Sequence, residues 1–84
     1  MVYAYIFKSC ADNGYYIGIC KNIKSRLAKH NKGGVRSTKS RKPFTLIYSE
    51  EFESYTRARA REKEIKSYKG GNTFKDLISH CGIV

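Results

Sequence analysis

Acidic residues are scarce in this chain of 84 residues, which has 7 aspartates and glutamates against 17 lysines and arginines and a formal net charge of +10. An excess of this size predicts a polyanionic partner, with nucleic acid first and an anionic membrane surface second. Long apolar runs are also absent, because the longest stretches, 4–7 and 15–20, are far below the ~18 residues of a membrane-spanning helix. We therefore expect nucleic acid as the partner and no membrane span.

Cysteine is rare as well, and three cysteines are an odd number that does not fit a disulfide framework. The first residues lack the cationic segment of a secretory signal, so we expect a reducing cytoplasm. A zinc site built from Cys10, Cys20, His30, His80 and Cys81 matches no zinc-binding spacing. We interpret the cysteines as ordinary packed or surface residues.

Aromatic residues are plentiful, since seven tyrosines and four phenylalanines give the chain a core to bury. This content disfavours a disordered chain. A chain this short buries only a little over ~60% of its unfolded surface, so its core is thin and leaves no room for a second domain. We predict one folded domain over residues 1–84.

Alternation of side chains predicts a first strand over 2–8, apolar on both faces and therefore central or covered on both sides. Asn13-Gly14 predicts a two-residue hairpin turn into a second strand over 15–20. The numbers of paired residues would then sum to 27. Because this sum is odd, strand geometry places Tyr5 on the same face as Gly18 and Tyr16.

The later segments follow from cap and breaker signals. They are a helix over 23–31 capped by Asn22, a basic loop over 32–43, a strand over 44–49, a helix from 55 to about 68 capped by Ser54, and a last helix capped by Thr73 and running through His80. Glu50, Glu51 and Glu53 are expected just before the second long helix, where negative charge favours the helix dipole. The order β-β-α-β-α-α predicts a small α/β (α+β) fold, a mainly antiparallel three-stranded sheet flanked by helices.

Glu62 is out of place on the second long helix. The buried stripe of that helix should contain Tyr55, Ala58 and Ile65, and position 62 falls within it. A carboxylate facing the sheet is expensive without a partner. Two interpretations remain open: a buried ion pair with Arg26, or a ligand for a divalent metal that needs only one or two carboxylates.

Two tyrosines, Tyr5 and Tyr16, share a strand face with Gly18, whose missing side chain suggests close approach by another backbone or a ligand. Amphipathic packing with hydroxyls at the sheet edge would also account for the tyrosines. Together with an inward Arg26, His30 and Glu62, however, they form a set of groups around one sheet face that suits phosphodiester hydrolysis.

The segments Tyr3-Ala4-Tyr5 and Tyr16-Ile17-Gly18 resemble the paired signature of the GIY-YIG nuclease superfamily, with Tyr3 in place of the first glycine. The chain is similar in particular to small single-domain bacterial proteins related to the N-terminal domain of excinuclease C. The resemblance continues in order through 23–31, 46–52 and 60–66.

This resemblance implies a metal-dependent endonuclease acting on DNA in preference to RNA, structure-specific and linked to repair or recombination, in keeping with a larger repair complex. Tyr5 and Tyr16 match the signature tyrosines, and which of them is the general base stays open. Arg26 matches the catalytic arginine, His30 a histidine of many members, and Glu62 the ligand of one Mg²⁺ or Mn²⁺. The cations expected to hold flanking phosphates are Arg36, Lys39, Arg41, Lys42 and Arg61.

Two alternatives to an active nuclease stay open: a non-catalytic basic DNA- or RNA-binding module that retains this site, and a small RNA-binding or ribosome-associated protein. The presence of all candidate catalytic residues argues against the first, and an inward Glu62 is unexplained by the second. Neither the oligomeric state nor the physiological partner follows from the sequence.

Overall fold

The computed structural model describes residues 1–69 and 71–79, so His80 and Cys81, which carry the predicted end of the last helix and part of the zinc interpretation, lie outside the described residues. The strands are β1 (Val2–Ser9), β2 (Tyr15–Cys20) and β3 (Phe44–Phe52), and they form one antiparallel sheet in the order β2-β1-β3. The helices are α1 (Ile23–Asn31), α2 (Tyr55–Ser67) and α3 (Asn72–Ser79), and a 3₁₀ helix (Arg36–Arg41) lies within the predicted basic loop. The predicted element order and antiparallel sheet are confirmed.

β1 is the central strand and is buried on both faces, as its sequence predicts. Tyr5 on one face packs in a cluster that includes Leu27 of α1. Ile6 on the other face packs with Ile65 of α2 and Phe74 of α3. Because neighbouring strand residues point to opposite faces, α1 covers one side of the sheet and α2 and α3 cover the other.

The β1–β2 hairpin differs from the predicted one in its turn. Tyr5 pairs with Gly18, so the paired residue numbers sum to 23 instead of 27, and residues 10–14 form the connection. Asp12 explains the wider loop, because its carboxylate accepts hydrogen bonds from the Gly14 amide at 2.8 Å and from Arg41 at 2.9 Å. The prediction of a two-residue turn is wrong. The predicted assignment of side chains to the two faces of the sheet is confirmed, because the observed sum of 23 and the predicted sum of 27 are both odd.

β3 is longer than predicted and includes two of the three glutamates expected before α2. Glu50 pairs with Ala4 and Glu51 with Tyr3 in the sheet, and the first turn of α2 contains no acidic residue. The expectation that these carboxylates stabilise the helix dipole is therefore wrong for both. Their side chains accept hydrogen bonds elsewhere, Glu50 from Arg61 at 2.9 Å and Glu51 from the Tyr3 hydroxyl at 3.1 Å.

Two of the three predicted N-caps are confirmed. Asn22 accepts a hydrogen bond from the Ser25 amide at 3.0 Å, and Ser54 accepts one from the Arg57 amide at 3.3 Å. Thr73 lies in the first turn of α3, so its prediction as a cap is wrong. Across the part of the chain that the structure describes, no helix has the length and apolar character needed to cross a membrane.

Candidate active site

The ring of Tyr5 lies against the backbone of Gly18 on the facing strand. A Cβ atom built on residue 18 would come within 2.5 Å of the Tyr5 phenol oxygen and 2.8 Å of its Cζ atom, distances that real side chains do not reach. The close approach predicted at Gly18 is confirmed, but the neighbour is a side chain and not the backbone or ligand that was expected. Glycine here lets a large ring, 1% exposed, fit between the strands and α1.

The environment of the Tyr5 phenol shows which other groups lie near it. Burial raises the pKa of Tyr5, the neighbouring Tyr16 phenol and the Glu62 carboxylate raise it further, and the Arg26 guanidinium opposes them. The rings of Tyr5 and Tyr16 lie 6.4 Å apart between centroids. Side chains from β2, α1 and α2 thus act on the Tyr5 phenol of β1, although they are far apart in the sequence.

His30 is fully buried on α1, within a cage of aromatic rings. Its ring centroid lies 4.8 Å from that of Tyr16 and 5.5 Å from those of Phe7 and Phe44. Burial lowers the pKa of His30, and the nearby charges of Arg26 and Lys29 lower it further. The imidazole is therefore neutral at pH 7 and has one ring nitrogen free to accept a hydrogen bond.

Thr38 of the 3₁₀ helix orients this imidazole. Its Oγ1 lies 2.8 Å from His30 Nδ1, and its hydroxyl donates to the Val35 carbonyl at 3.4 Å. This arrangement favours the tautomer in which Nδ1–H donates to Thr38 and Nε2 has the lone pair. Nε2 is buried and has no hydrogen-bond partner among the described residues. An unsatisfied buried acceptor is costly and calls for an explanation, which an acceptor role in a reaction would supply.

Arg26 is half-buried and lines a small cavity of about 270 Å³, here called the Arg26 cavity. The residues that line it are Cys20, Lys21, Asn22, Ser25, Arg26 and Lys29. Within the described part of the chain, the Arg26 guanidinium forms no ion pair. Three cations around one cavity, one of them a guanidinium, suit a phosphate group.

Glu62 lies between the buried residues Ala58 and Ile65 on α2, and its side chain is 18% exposed. Its inward position is as predicted, but Tyr55 of the same predicted stripe is 46% exposed. Glu62 forms its ion pair with Lys66, one turn further along α2, at 3.2 Å. Of the two interpretations of Glu62, the buried ion pair with Arg26 is wrong.

The prediction that all five groups surround one sheet face is also wrong for Glu62. Its helix α2 packs on the face opposite α1, so the carboxylate comes from the other side of the sheet. Its charge nevertheless acts on the Tyr5 phenol. A substrate between Arg26 and Glu62 would therefore be held from two sides.

The donor set available to a metal is small. Residues 1–69 and 71–79 contain no group of three or more His, Cys, Asp or Glu side chains that could hold an ion. Mg²⁺ and Mn²⁺ fit this situation, because such ions are held through one or two carboxylates, keep several waters and take further oxygens from substrate phosphates. Glu62 fits the single carboxylate of such a site.

The five cations predicted to bind flanking phosphates fall into two groups. Arg36, Lys39 and Lys42 are exposed. Arg41 donates to Asp12 at 2.9 Å and to the Tyr15 carbonyl at 3.2 Å, and Arg61 forms ion pairs of 2.9 Å with both Glu50 and Glu64. These two arginines hold parts of the domain together. Phosphate binding by any of the five stays a prediction.

Sequence reasoning missed Thr38 and the lysines of the Arg26 cavity. Thr38 is 1% exposed, although it lies in a segment that reads as a solvated basic loop. No sequence signal singles it out, because Ser37 and Ser40 in the same segment are uncharged as well. The helix pattern places Lys29 toward solvent and no pattern singles out Lys21, because the convergence of both with Arg26 depends on the β2–α1 turn.

A family model described as the GIY-YIG catalytic domain matches residues 1–75. The chain belongs to the GIY-YIG family. It is 46% identical over 67 residues to a UPF0213 protein of Staphylococcus haemolyticus, an alignment that covers 79% of this chain and 80% of the relative. A UPF0213 protein of Staphylococcus aureus is 43% identical with the same coverage.

A solved structure supports the same assignment for this GIY-YIG protein. The solution NMR structure of a UPF0213 protein from Bacillus halodurans has 31% sequence identity and a TM-score of 0.60, and the match covers 99% of this chain and 89% of that one. The predicted family and fold are thereby confirmed. Membership of the GIY-YIG family implies nuclease activity in general and a nucleic-acid substrate.

Proposed function

We propose that this GIY-YIG protein is a divalent-metal-dependent endonuclease that hydrolyses phosphodiester bonds in DNA. The observation that supports it is that Tyr16, Arg26 and Glu62, from three different elements, all act electrostatically on the Tyr5 phenol of a fourth. A fold has little structural reason to gather two phenols, a guanidinium and a carboxylate, whereas phosphoryl transfer uses all three kinds of group.

Arg26 binds the scissile phosphate. A guanidinium donates two parallel hydrogen bonds to phosphate oxygens, and this geometry positions the phosphorus atom for attack as well as neutralising charge. Lys21 and Lys29 line the same cavity and add attraction for the phosphate without fixing its orientation.

We assign the general base to Tyr16. Tyr5 is buried, and its pKa is raised chiefly by that burial, which disfavours the phenolate that a base must provide. Tyr16 is half-buried on the edge strand β2, where a water molecule has access. Tyr5 then acts by packing against Tyr16 and Gly18. The neutral His30 imidazole lies beside the Tyr16 ring, and its buried Nε2 is the acceptor that would orient the Tyr16 phenol.

Glu62 would hold the metal ion. When bound, a divalent ion supplies neutralisation of the negative charge on the nonbridging and leaving oxygens of the phosphodiester. Lys66, its ion-pair partner, has a side chain that is 56% exposed and is free to move aside when the ion binds.

Arg36, Lys39 and Lys42 contact the DNA backbone beside the cleavage site without reading sequence. Arg41 and Arg61 contribute charge from fixed positions. A nuclease with this kind of surface selects its target by DNA shape, which agrees with a role in repair or recombination in the cytoplasm and with recruitment to a larger complex.

Nicking of supercoiled plasmid tests the proposal. The parent protein should nick in Mn²⁺ and not in EDTA. Arg26→Lys should retain the fold and most DNA affinity but lose cleavage, because the charge survives and the paired hydrogen bonds do not. Arg36→Lys is the matched control, since it makes the same exchange at an exposed loop position and should still nick.

Near-parental nicking by Arg26→Lys would overturn the role of Arg26. A parent protein that binds DNA but nicks it neither in Mg²⁺ nor in Mn²⁺ would instead indicate the non-catalytic binding module.

A further inference from the structure

A groove of about 420 Å³ lies beside the start of α1, and its lining combines an aromatic ring with two lysines. The lining residues are Tyr3, Lys21, Asn22, Ile23, Lys24 and Leu46, and we call this site the Tyr3 groove. Its volume falls within the ~300–1,000 Å³ typical of ligand sites. Both lysines are exposed, whereas Tyr3 is half-buried.

The Tyr3 groove is continuous with the Arg26 cavity. Lys21 and Asn22 line both of them. Tyr3 also pairs across the hairpin with Cys20, which lines the Arg26 cavity. A polynucleotide whose phosphate is held at Arg26 therefore reaches Tyr3 without leaving the surface formed by the end of β2 and the start of α1.

The Tyr3 ring is held in place. Its hydroxyl donates to Glu51 Oε2 at 3.1 Å, and its strand is the central one of the sheet. The Glu51 carboxylate repels a phosphate at the ring, whereas a nucleobase has no charge and presents a flat face. Lys21 and Lys24 lie on the same groove and suit the phosphates on either side of such a base.

We propose that the Tyr3 groove binds one unpaired nucleotide of the DNA strand that is cut, with its base stacked on Tyr3 and its phosphates at Lys21 and Lys24. Stacking on an aromatic ring requires a base whose face is free, and a base inside a duplex is stacked between its neighbours. The inference rests on the proposed nuclease function, because it gives that site a preference for DNA with a single-stranded segment beside the scissile bond.

The test is equilibrium binding in EDTA, which keeps the DNA intact. Fluorescence anisotropy would measure affinity for a single-stranded DNA oligonucleotide and for a duplex of the same length. Tyr3→Leu should weaken single-strand binding about five- to 150-fold, the range that stacking of one base provides, and change duplex binding less than twofold. Tyr3→Phe retains the ring and should bind the single strand within about threefold of the parent.

Tyr55→Leu is the matched control. Tyr55 is an exposed tyrosine on α2 with Arg59 and Lys63 beside it, but it lies outside the Tyr3 groove. This variant should bind both DNAs as the parent does. A 2-aminopurine base placed along the single strand adds a direct readout, since its fluorescence should be quenched by the parent and by Tyr3→Phe but not by Tyr3→Leu.

Equal single-strand affinity for the parent and Tyr3→Leu, an equal loss in Tyr55→Leu, or an equal loss of duplex affinity in Tyr3→Leu would each overturn the assignment of this groove. Tighter binding of an RNA oligonucleotide than of the DNA strand would overturn the choice of DNA as the occupant. These outcomes are independent of plasmid nicking by the parent, so failure of the groove and failure of the nuclease proposal are distinguishable.

Discussion

The Tyr5 ring and Gly18 form a pair across the β1–β2 hairpin in which one residue supplies the side chain and the other supplies the space for it. Tyr5 pairs with Gly18 in the sheet register, and a methyl group at position 18 would overlap the phenol. The Phe7 ring also packs against Tyr5, with the two ring centroids 4.2 Å apart, and restricts movement of the Tyr5 ring.

Gly18→Ala should therefore destabilise the domain by about 1–3 kcal/mol, the usual cost of overpacking a core. Urea denaturation measures this change. Tyr5→Leu removes the ring, so the double variant should lose less free energy of unfolding than the sum of the two single variants. Additive losses would show that Tyr5 and Gly18 do not constrain one another.

His30 should make stability depend on pH. Burial holds the pKa of His30 in the folded protein below its ordinary value of 6.5, so the unfolded chain binds more protons once the pH falls below that value. The stabilisation associated with neutral His30 is present above pH 6.5 and is lost as the pH falls toward the folded-state pKa. Urea denaturation of the parent between pH 7.5 and ~5 should show this decline.

His30→Gln removes the titrating group, so its stability should be lower at pH 7 and should change less with pH. His80→Gln is the control, because His80 is the other histidine of the chain, and it should keep the parental pH dependence. Parallel pH curves for the parent and His30→Gln would assign the titration to another group.

Glu62→Gln should have little effect on stability without metal. The ion pair that Glu62 forms is a partly exposed contact with Lys66 on the same helix, and such pairs contribute about 0.3–0.5 kcal/mol. The metal-dependent rise in melting temperature that ligand binding produces in the parent should disappear.

Lys66→Gln breaks the same ion pair and keeps the carboxylate, so it should retain both the metal-dependent rise and plasmid nicking. Thermal denaturation of the three proteins with and without Mn²⁺ separates the two roles. A Glu62→Gln protein that melts far below the parent in EDTA and still nicks DNA would make Glu62 a structural residue.

Removing the exposed cations of residues 36–42 should weaken DNA binding, whereas removing Arg41 should lower the stability of the domain. Replacing Arg36, Lys39 and Lys42 together by glutamine should weaken binding to all DNA sequences alike and reduce the log–log salt slope by about 2–3, if each contacts one phosphate. Arg41→Gln should mainly lower the melting temperature, because it breaks contacts with Asp12 and Tyr15. A triple variant with the parental salt slope would place the DNA elsewhere on the surface.

Local patterns predict the order of the strands and α-helices, and side-chain contacts between distant segments account for most of what they miss. Asn22 and Ser54 are caps whose signals lie within three residues, so α1 and α2 begin as predicted. Glu50 and Glu51 are misplaced by local patterns because Arg61 and Tyr3 are their partners in the fold, and strand pairing is not visible in such a pattern.

The residues of the candidate site could likewise be predicted from local features, whereas their contacts could not. Each of its predicted residues is identified from the anomaly that it creates locally or from the family resemblance. The contact of His30 with Thr38 and the approach of Glu62 from the opposite side of the sheet depend on tertiary packing, and neither leaves a periodic signal.

Two residues of the 3₁₀ helix attach it to the rest of the domain: Thr38 contacts His30, and Arg41 contacts Asp12 and Tyr15. Lys39 lies between these two residues in the sequence. Its backbone is therefore held in place, whereas a lysine on an unattached loop could move with a bound DNA strand. The fold therefore sets the distance between Lys39 and the two tyrosines of the candidate site, Tyr5 and Tyr16. If Lys39 contacts the DNA backbone and Tyr16 activates the attacking water, as we propose, this separation fixes the number of nucleotides between the bound phosphate and the bond that is cut.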